Sequence, residues 1–277
     1  MSVLLVGLVV IGGSVLWSVL SGSGEVRYSA DHAGTVPLWQ RWIPALAGIA
    51  LVRLVPPVAV GQAPVSDAGP PSGRWPQLQA GVLLGCAVLF AVALRLVVDA
   101  GGAVEPAHTL LKAVLLLAVP MVLFLWTRSS TDVPRPARAG RRGFGPVIPV
   151  AAWFLLAQVS RPPVDRPAEL DLVTLLGTLA VVFAVNALLE EVFYRRWLQT
   201  RWEHLLGRWP AIVLATLLFA AWHVAIMGTG QLLTDLAGVF ASHGAYGLFL
   251  GYLWSRYRLM WPILAVHGAI NTAPALL

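Results

Sequence analysis

LDLVTLLGTLAVVFAVNALLEEVFYRRWL, residues 170–198, decides how this chain is read. Most of it is apolar over about 20 residues, the length that lets a helix cross the roughly 30 Å hydrocarbon core of a bilayer. The run then ends on Leu189-Glu190-Glu191-Val192-Phe193-Tyr194-Arg195-Arg196. A charged side chain near the membrane centre costs about 2.5–3.5 kcal/mol on insertion scales, so an ionisable cluster there points to function.

Composition extends this reading to the whole chain. Of 277 residues, 58% are hydrophobic and 12% charged, whereas soluble domains carry about 25% charged residues. The sequence therefore describes a polytopic membrane protein. Its formal charge of +6 comes almost wholly from arginine, Lys112 being the only lysine. In a membrane protein such an excess belongs to cytoplasmic loops, so no nucleic-acid partner is expected. Cys86 is the sole cysteine, which rules out an internal disulfide. The run from Ser2 to Leu20 has no Lys or Arg ahead of it and no small-x-small cleavage site, and is read as a retained helix, not a signal peptide.

Apolar runs predict an all-α bundle of eight or nine transmembrane helices, near 2–20, 42–60, 78–98, 108–126, 146–159, 170–198, 210–227, 236–255 and 260–276. Linkers rich in Gly, Pro and Ser are expected over 61–76 and 129–145. The second divides the chain into a four-helix N-terminal region, 1–145, and a C-terminal region, 146–277. Arginines cluster after the fourth, sixth and eighth runs, at Arg128 to Arg142, Arg195 to Arg208, and Arg256 and Arg258. This places the N-terminus and those loops in the cytoplasm and the C-terminus outside. The Trp- and Arg-rich stretch from Arg195 to Trp209 is read as a helix end and a short amphipathic piece in the headgroup region.

Polar residues inside the apolar runs fall in the C-terminal region. On a helix, Glu191 and Arg195 are four apart and share a face, while Glu190 points about 100° away. Glu191 and Arg195 read as a neutralised pair, and Glu190 is left without a local counter-ion, the state of a general base. His223 follows Phe219 by one turn, and His267 precedes Asn271 by one turn, each on one face. At 1.5 Å per residue, Glu190 lies roughly 15 Å from Thr200, His223 roughly 20 Å from Pro210, and His267 roughly 12 Å from Leu259, so all three can meet in one layer. His243 matches no motif; it is read as lining the cavity or as a hydrogen-bonding partner of a neighbouring helix, the second being preferred. His32, His108 and His204 are placed near the membrane interfaces.

The series Glu190-Glu191-x-x-x-Arg195, Phe219-x-x-x-His223 and His267-x-x-x-Asn271, on successive helices, resembles the CPBP family. Its members are the CAAX-processing endopeptidases and the bacteriocin-processing or immunity-associated (Abi) membrane proteases. Gly247-Leu248-Phe249-Leu250-Gly251-Tyr252-Leu253-Trp254 is similar to the helix before the last motif, and the resemblance covers about Pro146 to Leu277.

The resemblance implies an intramembrane glutamic endopeptidase. Glu190 would be the general base that activates water, with His223 holding that water or sharing its proton. His267 and Asn271 would donate to the oxyanion, and Glu191, Arg195 and Phe219 would support the site. The expected substrate is a membrane-associated protein or peptide, with a prenylated or leader-type tail among the options. The expected location is a bacterial cell membrane, with the site open toward the cytoplasm. Zinc is the alternative cofactor. However, it needs three protein ligands, no His-Glu-x-x-His helix is present, and Asn is a poor zinc ligand, so no metal is expected. The alternative function is a non-catalytic membrane scaffold or immunity-type partner of the same fold. Its sign would be a lost motif residue, and none is lost here.

Overall fold

A computed structural model of the protein describes residues 2–21, 24–27, 34–55, 74–127, 145–159 and 171–276. Among these residues it contains nine helical segments: α1 Ser2–Ser21, α2 Leu38–Leu54, α3 Arg74–Asp99, α4 Val104–Trp126, α5 Val147–Val159, α6 Leu172–Leu206, α7 Arg208–Met227, α8 Leu232–Tyr257 and α9 Met260–Leu276. Six of them, α1, α3, α4, α6, α7 and α8, are long and apolar enough to cross a membrane. The chain is an integral membrane protein with an all-helical polytopic bundle. One small departure is a two-stranded antiparallel ribbon, β1 Glu25–Arg27 with β2 Thr35–Pro37. The ribbon buries Val26 and Val36 beside Ala241 of α8. The linkers and His32 fall outside the described residues, apart from the ends of the linkers at Arg74 to Pro76 and Gly145.

The outer surface is apolar, as lipid contact requires. Val9, Leu96, Val122, Leu155 and Val181 are all exposed. In lipid there is no hydrophobic drive to pull helices together, so close approach over small residues must supply the packing. Helix α8 meets α1, α2 and α7, and its Gly247 and Gly251 face α7. A Cβ on Gly247 would stand 2.6 Å from Thr216 Cγ2, and one on Gly251 would stand 2.8 Å from Ile212 Cγ2. The chain thus uses the GxxxG spacing of 247–251 to bring the two backbones together.

Helix α6 begins on Asp171, whose side chain accepts from the Val173 and Thr174 amides. The Thr174 hydroxyl and then its amide hold the Asp171 carboxyl below the ordinary aspartate value. At its other end α6 runs on to Leu206 and does not stop near Leu198. Within the expected interfacial piece over Arg195 to Trp209, Arg195, Leu198, Gln199 and Thr200 are buried, while Arg196 and the end from Leu206 to Trp209 are exposed. Its polar groups are used between helices. Arg201 Nε donates to Gln79 Oε1 at 2.8 Å, Gln199 Nε2 donates to the Gly251 carbonyl at 2.8 Å, and Arg258 pairs with Glu203. Only then does Gly207, with φ of 82°, turn the chain into α7.

Over-packing a closed contact costs about 1–3 kcal/mol. Gly251→Val is expected to lower unfolding stability in detergent by that amount, measured by thermal denaturation. Gly177→Val, where a Cβ meets nothing within 4 Å, should leave it near the parent value.

Candidate active site

The centre of α6 is not a regular α-helix. Widened π turns run over Phe183–Leu188 and Val192–Gln199, on either side of Leu189–Glu191. Such turns gather at functional sites because they re-aim side chains that 3.6-residue spacing would scatter. Glu190 is 2% exposed, and Glu191 and Arg195 are fully buried. Arg195 Nε lies 3.5 Å from Glu191 Oε2, the pair that helical spacing predicts. The Arg195 guanidinium also sits over the Phe219 ring, 4.9 Å from its centroid.

Glu190 departs from expectation, because it has a counter-ion. Lys112, on α4, places Nζ 2.5 Å from Glu190 Oε1 and 2.7 Å from Asn186 Oδ1. The same Nζ lies 5.0 Å from the centre of the Trp222 ring. An ammonium has three N–H donors, and here they have a carboxylate, a carboxamide and an aromatic face as acceptors. Helix α6 alone could not reveal this pairing, since the partner lies 78 residues upstream. The available signal was Lys112 itself, a cation inside an apolar run.

Three histidines are fixed in one manner. The His223 amide bonds to the Ala220 carbonyl, three residues back, at 3.1 Å. The carbonyl four residues back, that of Phe219, instead accepts from His223 Nδ1 at 2.9 Å. His243 Nδ1 lies 3.2 Å from the Val239 carbonyl and 2.7 Å from Ser242 Oγ. His267 Nδ1 donates to Glu191 Oε1 at 2.7 Å. A carbonyl or carboxylate only accepts, so for His223 and His267 Nδ1 carries the proton and Nε2 keeps a lone pair in the neutral ring. His267 Nε2 then lies 4.0 Å from Glu190 Oε2, the oxygen that Lys112 does not take.

Phe219 holds these parts in register. Its ring contacts Tyr194, His223, His243, Tyr246 and His267 at centroid distances of 5.1–6.4 Å. His243 does not bond to a neighbouring helix as expected. Its ring lies 4.1 Å from that of His223, with Trp222 3.8 Å away on His223 as well. His108 is partly buried, and its ring stacks on Trp222 at 5.2 Å. Asn271, one turn after His267, has a buried Nδ2 with no hydrogen-bond partner among the described residues. Glu190, Glu191, Arg195, Phe219, His223 and His267 are thus joined by direct contacts, and Asn271 follows on the same helix. Among the described residues, no group of three or more His, Cys, Asp or Glu is arranged to hold a metal ion.

Residues 172–273 match the family model described as type II CAAX prenyl endopeptidase Rce1-like. That segment is similar to the Rce1-like family. Comparison with curated proteins and with solved structures gave no match. The match places the segment among membrane endopeptidases of the CAAX type, in agreement with the CPBP resemblance of its three motifs. It spans α6 to α9, and α5, which the resemblance had included, lies before it. Lys112 and His108 also lie outside the Rce1-like segment, on α4.

Removing a buried aromatic ring costs about 3–5 kcal/mol. Phe219→Ala is expected to destabilise the protein by that amount in thermal denaturation, with a smaller loss for Phe219→Leu.

Proposed function

We propose that this protein is an intramembrane endopeptidase of the glutamic type. In this reading Glu190 and His223 activate a water molecule, while His267 and Asn271 receive the oxyanion. The observation that carries it is the facing pair of Glu190 Oε2 and His267 Nε2, 4.0 Å apart, each with its other polar atom already engaged. A water in that gap can donate to Glu190 Oε2 and accept from His267 Nε2 once that nitrogen is protonated.

The chemistry follows from which atoms remain available. Glu190 Oε2 takes one proton from the water, and His223 Nε2 accepts its other hydrogen. The hydroxide oxygen bonds to the substrate carbonyl carbon, and the carbonyl electrons move to oxygen. His267, having taken a second proton from solvent before the attack, donates its Nε2–H to that oxyanion and keeps the proton through the cycle, while the Glu191 carboxylate on Nδ1 balances its charge. Asn271 Nδ2, buried without a partner, is a second donor. Collapse of the intermediate breaks the C–N bond, and the proton held by Glu190 passes to the leaving amine.

The donor set supports a reaction without a metal. Glu190 Oε1 is engaged by an ammonium, Glu191 by a ring N–H, and a carboxamide stands one turn from His267 where a third ligand would be needed. The family description supports a membrane-associated protein or peptide as substrate, with a prenylated C-terminal tail first among the candidates. The distribution of arginines supports a site that opens toward the cytoplasm of a bacterial cell.

Purified protein is tested against a library of membrane-tethered peptides. Glu190→Gln is expected to abolish cleavage while circular dichroism remains that of the parent, and Glu191→Gln to lower stability and activity together. Full activity in Glu190→Gln would remove the proposed base. Removal of one oxyanion donor costs roughly 10²–10³-fold in kcat, and Asn271→Ala is expected to show that loss with little change in KM. Cleavage is expected to survive exhaustive chelation. Stoichiometric zinc lost together with activity would favour the metal mechanism. An absence of any cleavage would leave the non-catalytic scaffold as the better reading.

A further inference from the structure

The Rce1-like segment holds every residue assigned above to the reaction, yet its central carboxylate is held by a helix that the segment does not include. Lys112 lies on α4 and is fully buried. It also sits in a third run of widened turns, Lys112–Ala118. Its Nζ meets Glu190 Oε1, Asn186 Oδ1 and the Trp222 face. Asn186 and Glu190 are one turn apart on α6, and Trp222 adjoins His223 on α7. One ammonium thereby ties the α6 carboxylate to the position of the α7 histidine.

We propose that Lys112 is a positioning residue for Glu190. It pins Oε1, leaves Oε2 as the oxygen that meets water, and makes the site incomplete without α4. This rests on the reading of Glu190 as the general base.

Geometry gives this pairing a directional effect. A carboxylate free to rotate offers either oxygen to either side, whereas one held at Oε1 presents Oε2 to His267 in a single orientation. The other groups that face Glu190 do not replace that cation. His267 Nε2 is 4.0 Å away and has its proton on the opposite nitrogen. Tyr194 on α6 and Tyr246 on α8 also lie within electrostatic reach of Glu190. On the same helix, Arg195 is shared with Glu191, and His223 on α7 feels Lys112 directly.

The experiment uses the full chain in detergent or nanodiscs, with Lys112→Met, Glu190→Gln and the double variant. Cleavage by the parent chain is measured first and tests the proteolytic reading by itself. In Lys112→Met, kcat is expected to fall with KM little changed. Lys112→Arg, which keeps a cation opposite Oε1, is expected to recover much of that kcat. A residue needed only for packing would leave Lys112→Arg as impaired as Lys112→Met, and that result would overturn the proposal. Thermal unfolding supplies the second readout, independent of turnover. Each single variant is expected to lower the midpoint, and the double variant to lie above the sum of the two losses, because it leaves no unpaired charge. Additive losses would show that Lys112 and Glu190 do not act as a pair, and would overturn the proposal even if the parent chain cleaves peptides. Should the parent cleave nothing, the proteolytic reading fails, and coupled unfolding would then mark the contact as an ion pair without a role in turnover, which also overturns the proposal.

Discussion

A carboxylate can stay inside a lipid-facing bundle only if a cation is brought to it in the same desolvated space. Glu190 and Lys112 meet that requirement with 2% and 0% of their surfaces exposed. Removing either partner of a buried pair costs about 3–5 kcal/mol, because the survivor is left charged and unpaired. The pair therefore constrains the arrangement of helices as much as it serves the site. Helix α4 must run beside α6 at the level of Asn186 and Glu190, and α7 must bring Trp222 to the third side of the ammonium. Glu191 imposes a second constraint of the same kind. Its carboxylate is divided between Arg195 on its own helix and His267 on α9, so α6 and α9 are held at one relative height.

Small residues allow these distances to be reached. With lipid outside, the drive to associate is contact and hydrogen bonding, not the release of water. Gly247 and Gly251 let α8 close on α7, and Gln199 reaches across to the Gly251 carbonyl. Helix α7 is thereby fixed on α8 on one side and on α6 through Phe219 on the other. Phe219 is a hydrocarbon ring within a cluster of charged and polar groups. The Arg195 guanidinium lies over its face, and the rings of His223, His243 and His267 meet it at steep angles.

What could be read from the sequence was what lies within a single helix. The nine helical segments, the shared face of Glu191 and Arg195, and the inward placement of His223 and His267 all follow from apolar length and one-turn spacing. The parts that escaped involve two helices. The distance between Lys112 and Glu190 depends on how α4 packs on α6, which periodicity does not encode. Lys112 was nevertheless visible as the one lysine of the chain, set between Leu111 and Ala113. The rule that an intramembrane charge signals function, applied to the glutamates, applied to it equally. His243 was missed because it shares no motif spacing, and its ring finds His223 only through the α7–α8 crossing. The π turns have no sequence signature here, and they displace side chains from the angles that ideal helices assign.

The same constraints bear on the choice between the proposed hydrolysis and a buried ion-pair scaffold. A scaffold would be expected to satisfy all its polar atoms, since each unsatisfied one costs free energy in an apolar surround. Here satisfaction is incomplete. Among the described residues, Glu190 bonds through Oε1 and His223 and His267 through Nδ1, while Asn271 Nδ2, the Tyr194 and Tyr246 hydroxyls and the Arg195 guanidinium nitrogens have no hydrogen-bond partner. The atoms tied down are those that set orientation, and those left over include a base, lone pairs and a donor. Hydrolysis of an amide needs that complement: an acceptor for the water's proton, a second acceptor to hold the water, and donors for the developing oxyanion. The cost of leaving these atoms unpaired is of the same kind as the cost of burying the charges, and Lys112, Glu191 and the Phe219 carbonyl are the groups that sustain it.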